Sequence, residues 1–135
     1  MSIVAGAALV DKNDKVIIVL GKKWDKKKSK WGFPKGHREA TDKCDFDCMV
    51  REVKEEIGLD ITKTEYKIMQ VCQDNALMLS YVMYIIEIDI DLCEVDLKID
   101  ENEISNIEII SWDELRQEYE LMPDMYNRSI GIVFQ

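Results

Sequence analysis

Histidine is almost missing from these 135 residues, with His37 the single example. A multi-histidine metal centre is therefore excluded, and Ser–His nucleophilic catalysis has almost nothing to draw on. Two prolines and six glycines exclude collagen-like or low-complexity character. The four cysteines, Cys44, Cys48, Cys72 and Cys93, form no Cys-x-x-Cys pair, so neither a zinc nor a redox motif is supported. No apolar run reaches the ~18 residues of a membrane span. The longest, Leu77 to Ile86, is broken by Ser80 and followed by Glu87, Asp89 and Asp91. The N-terminal segment lacks a charged region before its apolar stretch and reads as a strand rather than a signal peptide. Reduced thiols in a cytoplasmic protein are the expectation, with no membrane partner. Positive charge is also short: 18 Lys and Arg face 27 Asp and Glu, a net charge of -9. That balance argues against DNA as a partner.

What remains suits one globular domain over residues 1–135, with 47% hydrophobic and 33% charged residues. Residues 3–10 and 15–20 are apolar and β-branched, split by the turn-forming Asp11-Lys-Asn-Asp14, and predict a hairpin. Gly21 to Thr41 is irregular, with Gly32, Pro34 and Gly36 close together. Phe46, Met49, Val50, Val53 and Ile57 then fall on one helical stripe, which predicts a helix over 43–57. Asp42 is its expected N-cap and Gly58 its stop. Cys44 and Cys48, one turn apart, read as packing residues. Strand character returns over 64–72, 77–90 and 104–112. Ser111 should cap a short helix from Trp112 to Glu120, and Tyr126 to Gln135 has no clear period. The order predicts an α/β fold, a mixed sheet with helices packed on it.

Chemistry concentrates in two stretches, Trp31-Gly-Phe-Pro-Lys-Gly36 and Arg51 to Leu59. Glu52, Glu55 and Glu56 stand at i, i+3 and i+4, so they share one helix face away from the apolar stripe. Three carboxylates so close repel one another, and a divalent cation removes the conflict. Oxygen-rich sites of this kind suit Mg²⁺ or Mn²⁺. The competing reading is a solvated helix face. Arg51 can clamp a carboxylate through its fork of donors. In the preceding loop Pro34 stiffens the backbone, Gly36 lets it approach an ion or a phosphate, and Lys35 can reach a phosphate oxygen.

These two stretches resemble the Nudix box, G-x5-E-x7-R-E-U-x-E-E-x-G-U, where U is bulky and aliphatic. Gly36 stands for its first glycine, and Arg51, Glu52, Val53, Glu55, Glu56, Gly58 and Leu59 match the rest in register. Asp42 replaces the first glutamate, and eight residues separate it from Arg51 where the family has seven. One extra residue in the loop or the helix start accounts for the difference. Within that family the chain is most similar to the catalytic domain of mRNA-decapping enzymes. The similar pieces are Trp31 to Gly36, Asp47 to Val53, Glu55 to Ile61 and Glu103 to Glu108.

The resemblance implies a Nudix α/β/α sandwich and hydrolysis of a phosphoanhydride bond in a nucleoside diphosphate linked to another group. The cofactor would be Mg²⁺ or Mn²⁺, held by Glu52, Glu55 and Glu56 with the Gly36 carbonyl. Glu103 would be general base or an additional metal ligand, with Glu101 its near rival, and Arg51 would orient the carboxylates. Three functions are implied. The first is mRNA cap hydrolysis releasing m7GDP. The second is hydrolysis of a small nucleotide, such as a dinucleoside polyphosphate, a nucleotide sugar or a damaged triphosphate. The third is a non-catalytic domain that binds nucleotide or RNA.

Substrate contacts are expected from Lys35 and from the Gly21–Lys30 segment, which holds six Lys and one Asp and includes Lys22, Lys23 and Trp24. Its alternative reading is an exposed hairpin tip. Trp24 could stack on a base, whereas Trp31 reads as packing; His37 contacts a phosphate or is simply exposed. The regulatory domain and basic helix usual in decapping enzymes are expected to be missing, since residues 112–135 carry Arg116 and Arg128 against five acids. A protein partner could then supply cap or RNA contacts. Monomer and homodimer both stay open.

Overall fold

A computed structural model describes residues 2–22 and 29–135. Seven strands form one sheet: β1 (Ser2–Val10), β2 (Lys15–Gly21), β3 (Trp31–Gly32), β4 (Lys35–His37), β5 (Tyr66–Ala76), β6 (Leu79–Ile88) and β7 (Ile104–Ser111). The main order is β3-β2-β1-β6-β5, with β4 also on β1 and β7 also on β2. The pairing of β1 with β6 is parallel, running from Ser2↔Leu79 to Val10↔Glu87, and the other pairings are antiparallel. The sheet is therefore mixed, as expected. Among the described residues no helix is long and apolar enough to cross a membrane.

Both faces of the sheet centre are covered, which is why β1 and β2 read as continuous apolar runs rather than alternating ones. Ala5, Ala7, Leu9, Ile17, Val82 and Ile86 point to one side, against Met49, Val53 and Ile57 of α1 (Asp45–Ile57). Ala8, Val16, Ile18, Phe33 and Met83 point to the other, against Leu115 of α2 (Trp112–Leu121) and Ile130 of α3 (Arg128–Val133). Phe46, on the expected stripe, is only half-buried and packs on Tyr66 and Tyr84 at 6.0 and 5.8 Å. The unassigned tail becomes α3 because the Asn127 side chain accepts the Ser129 N–H and caps it. Ser111 caps α2 as expected, accepting the Glu114 N–H at 3.0 Å.

Two sequence expectations need correction at the start of α1. Its N-cap is Cys44, which makes no side-chain cap bond, so Asp42 is not the cap. Asp42 is drawn instead to the stronger partner, Arg51, as described below. Cys44 is exposed rather than packed, while Cys48 is fully buried. Two further differences are local. Short strands β3 and β4 occur inside the segment read as irregular. The β5–β6 turn falls at Leu77 and Met78, with Met78 at φ 69° despite the lack of glycine there.

The segment between β6 and β7 is fastened at several points. Buried Asp11 accepts the N–H of Leu92 at 2.9 Å, and its other oxygen accepts those of Asn13 and Lys15. The N–H groups of Lys98 and Asp100 then donate to the carbonyls of Ile57 and Glu56, both at 3.0 Å. Gly58 makes that contact possible: it sits at φ 76°, and a Cβ there would lie 2.8 Å from Lys98. Asp11→Ala should therefore cost about 2–4 kcal/mol, since hydrogen bonds to a charged acceptor are lost and a buried N–H is orphaned. Urea denaturation measures this; a loss below about 0.5 kcal/mol would show that Asp11 does not anchor the segment.

Candidate active site

β1 and β4 pair through Val4↔His37, Ala5↔Gly36 and Gly6↔Lys35, and α1 lies along them. This sets the acidic face of α1 directly against the glycine loop. A Cβ at Gly36 would collide with the Glu52 carboxylate, so a larger residue there would displace that carboxylate from the loop. The Lys35 N–H donates to Glu56 Oε2 at 3.2 Å. Burial pushes the Glu56 carboxyl up to about 7; the Lys35 charge and N–H oppose this, and the charges of Glu52 and Glu103 add to it. Glu52 is also raised, mainly by burial, against the pull of Arg51. Glu55 is exposed.

Arg51 organises the face. Its Nε donates to Asp42 Oδ1 at 2.9 Å and one terminal nitrogen to Asp42 Oδ2 at 2.8 Å, a two-pronged pair. The other terminal nitrogen reaches Glu52 Oε1 at 2.9 Å and Glu55 Oε2 at 3.2 Å. The His37 carbonyl accepts as well, at 3.1 Å. Asp42 is 5% exposed, and its carboxyl is held well below the usual range by Arg51 first and by the Glu39 N–H second. Asp42 thus carries out a positioning task from outside the helix, and it closes a turn with Glu39, whose N–H donates to Asp42 Oδ2 at 2.8 Å.

Cys48 lies beneath. Burial, with the Asp42 charge, pushes its thiol up to about 12. It remains an S–H and donates to the Gly36 carbonyl at 3.7 Å. Among the described residues no set of three acidic groups is gathered tightly enough to enclose an ion, because Arg51 draws Glu52 and Glu55 to itself. The donor chemistry nevertheless fits a hard divalent cation: three carboxylates on one helix face, beside a backbone stripped of its Cβ.

These groups wall a cleft of about 500 Å³. It brings together Lys35, Gly36, His37, Glu52, Glu55, Glu56 and Glu103. Arg51 lies behind the carboxylates, Lys22 opens onto an adjoining hollow, and Glu101 lines neither space. Lys23 and Trp24 fall outside the described residues. Three polar lining residues, Glu39, Tyr81 and Asp100, escape sequence reasoning. Asp100 had one available signal, its place three residues before Glu103 in an acid-rich turn. Tyr81 had none, because its approach to the cleft depends on β6 lying beside β1.

Sheet, helix and box together define a Nudix fold, and the chain belongs to the Nudix family of hydrolases: the NUDIX domain matches residues 2–129. The m7GpppN-mRNA hydrolase of Saccharomyces cerevisiae is 45% identical over 60 residues, which are 44% of this chain and 6% of that protein. Putative hydrolase 111R of Invertebrate iridescent virus 3 is 40% identical over 67 residues, 50% of this chain and 36% of that one. The chain thus spans only a small part of the length of these relatives. Among solved structures, an Ap4A hydrolase binary complex of C. elegans superposes with a TM-score of 0.66 at 16% identity, covering 90% of this chain and 91% of that one. The MutT protein of Methanosarcina mazei Go1 gives 0.64 at 16% identity, over 85% and 80%. At that identity the likeness is one of fold.

Proposed function

We propose that the chain is a pyrophosphohydrolase dependent on Mg²⁺ or Mn²⁺, cleaving a phosphoanhydride bond of a nucleoside diphosphate linked to another group. The preferred substrate is the mRNA cap, with release of m7GDP. The observation that carries this reading is the cleft where Glu52, Glu55 and Glu56 meet the Lys35–Gly36 backbone, with Glu103 also lining it. The partial identity to a cap hydrolase supports the substrate.

Glu52, Glu55 and Glu56 would hold the cation, with the Gly36 carbonyl as a further oxygen. When bound, the cation would neutralise phosphate charge and acidify water. Glu56 or Glu103 takes the proton as the water oxygen bonds to phosphorus and the bridging P–O bond breaks. Lys35 offsets phosphate charge, and Arg51 holds Glu52 and Glu55 in place. The four free thiols suit the cytoplasm.

Small-nucleotide hydrolysis is the second reading, favoured by the chain's net charge of -9, which repels a long RNA body. Release of label from capped RNA, run beside small dinucleotides and with Mg²⁺ and Mn²⁺ in turn, separates the two. Metal-dependent release of m7GDP at the highest kcat/KM of the panel is the expected result. Turnover of small nucleotides alone would overturn cap preference, and no turnover at all would leave a binding domain.

A further inference from the structure

The acidic cleft does not end at Glu103. Lys35, Glu56, Tyr81 and Glu103 also wall an adjoining hollow of about 270 Å³, whose added charged groups are Lys22 and Lys30. Local backbone structure puts Lys22 there. The β2–β7 register slips between Leu20 and Gly21, a bulge that bends the strand end. The Lys22 N–H then donates to the Glu103 carbonyl at 2.7 Å, tying the basic rim to the loop that carries the cleft acid. The wall shared by both spaces is also fixed. Arg128 lies 4.5 Å over the Tyr81 ring and is anchored to Asp74 at 2.9 Å.

Opposite charge in two joined spaces sorts substrates by the length of their phosphate bridge. In a diphosphate-linked nucleotide both phosphates flank the cleaved bond and occupy the acidic cleft with its cation. Its remaining group is a neutral sugar, which gains little from two lysines. A third phosphate would lie against them. We infer that the basic hollow receives phosphates beyond the cleaved anhydride, so that bridges of three or more phosphates are preferred over diphosphate-linked nucleotides. The inference rests on the hydrolase reading above, and it deepens that reading by naming the class of bridge.

The test compares kcat/KM of the full chain with Mg²⁺ on a cap dinucleotide, diadenosine tetraphosphate, ADP-ribose and a nucleotide sugar. The wild type should favour the first two by about tenfold or more. Lys22→Glu and Lys30→Glu should each remove about tenfold on those two and less than about twofold on the diphosphates, as expected for reversing one exposed charge near another. Lys30→Gln should fall between. Lys63→Glu, on a helical turn outside both spaces, should match wild type and controls for net charge. Equal rates across the panel, or uniform losses in the lysine variants, would overturn the inference. If nothing is turned over, the hydrolase reading fails by itself. Calorimetry with Mn²⁺ then decides: tripolyphosphate should bind at least tenfold tighter than pyrophosphate, and Lys30→Glu should erase that margin; equal affinities would refute the inference.

Discussion

Glu56→Gln should lower kcat by about 10²-fold while leaving the protein folded, within the range that loss of a positioned general base or charged ligand produces. Glutamine keeps the volume of the side chain, and its amide oxygen can still accept the Lys35 N–H that Glu56 Oε2 accepts at 3.2 Å. It removes the negative charge alone. Because burial already disfavours that charge, the melting temperature should hold or rise slightly. A pre-steady-state or steady-state assay at saturating Mg²⁺, paired with a thermal melt, reads both quantities. Wild-type turnover in this variant would remove Glu56 from the catalytic machinery.

Arg51→Ala should have the largest effect on stability. It strips the two-pronged partner from Asp42, which is 5% exposed, and leaves Glu52 and Glu55 facing each other without a cation between them. Losing one member of a buried pair costs about 3–5 kcal/mol. With Arg51 22% exposed, the lower end applies, or a fall in Tm of about 10 °C for a domain of this size. The acid limb gives an independent check. The Asp42 carboxyl is held below its unfolded value of ~3.9, so the pair's contribution is complete above that pH and fades as pH falls through the folded value. The gap in stability between wild type and Arg51→Ala should therefore be widest near neutrality and narrow toward strong acid. A gap that stays constant down to low pH would mean that Asp42 is not the partner that matters. Arg51→Lys should recover only part of either effect, since an ammonium cannot grip two oxygens in parallel.

The helix bearing the carboxylates could be read from the chain because its period is strong and Gly58 marks its end. The glycine loop could be read because Gly32, Pro34 and Gly36 crowd together. Both signals are local. What escaped was set by distant partners. Asp42 looks like a cap at short range, yet a guanidinium nine residues on outbids the orphan N–H groups of a helix end. Asp100 and Tyr81 reach the cleft only after the β6–β7 segment has been pinned to Asp11 and β6 has been laid beside β1. Arg128, inside the stretch without a clear period, meets Asp74 across the sequence. Lys23 and Trp24 lie outside the described residues, so their expected substrate contacts stay as proposals.

The parallel seam between Ser2–Val10 and Leu79–Glu87 also constrains how the molecule is made. Within this domain the earliest strand has as its long neighbour one of the later strands, and two flanks of the candidate cleft sit on either side of that seam. Until Leu79–Ile88 has been made, β1 can pair only with its hairpin and loop neighbours, β2 and β4. Joining ends so far apart must pay chain-closure entropy before any contact rewards it. Assembly of the groove is thus a late and slow event, and a nascent chain stalled before residue 79 would expose an apolar ribbon to holdase chaperones.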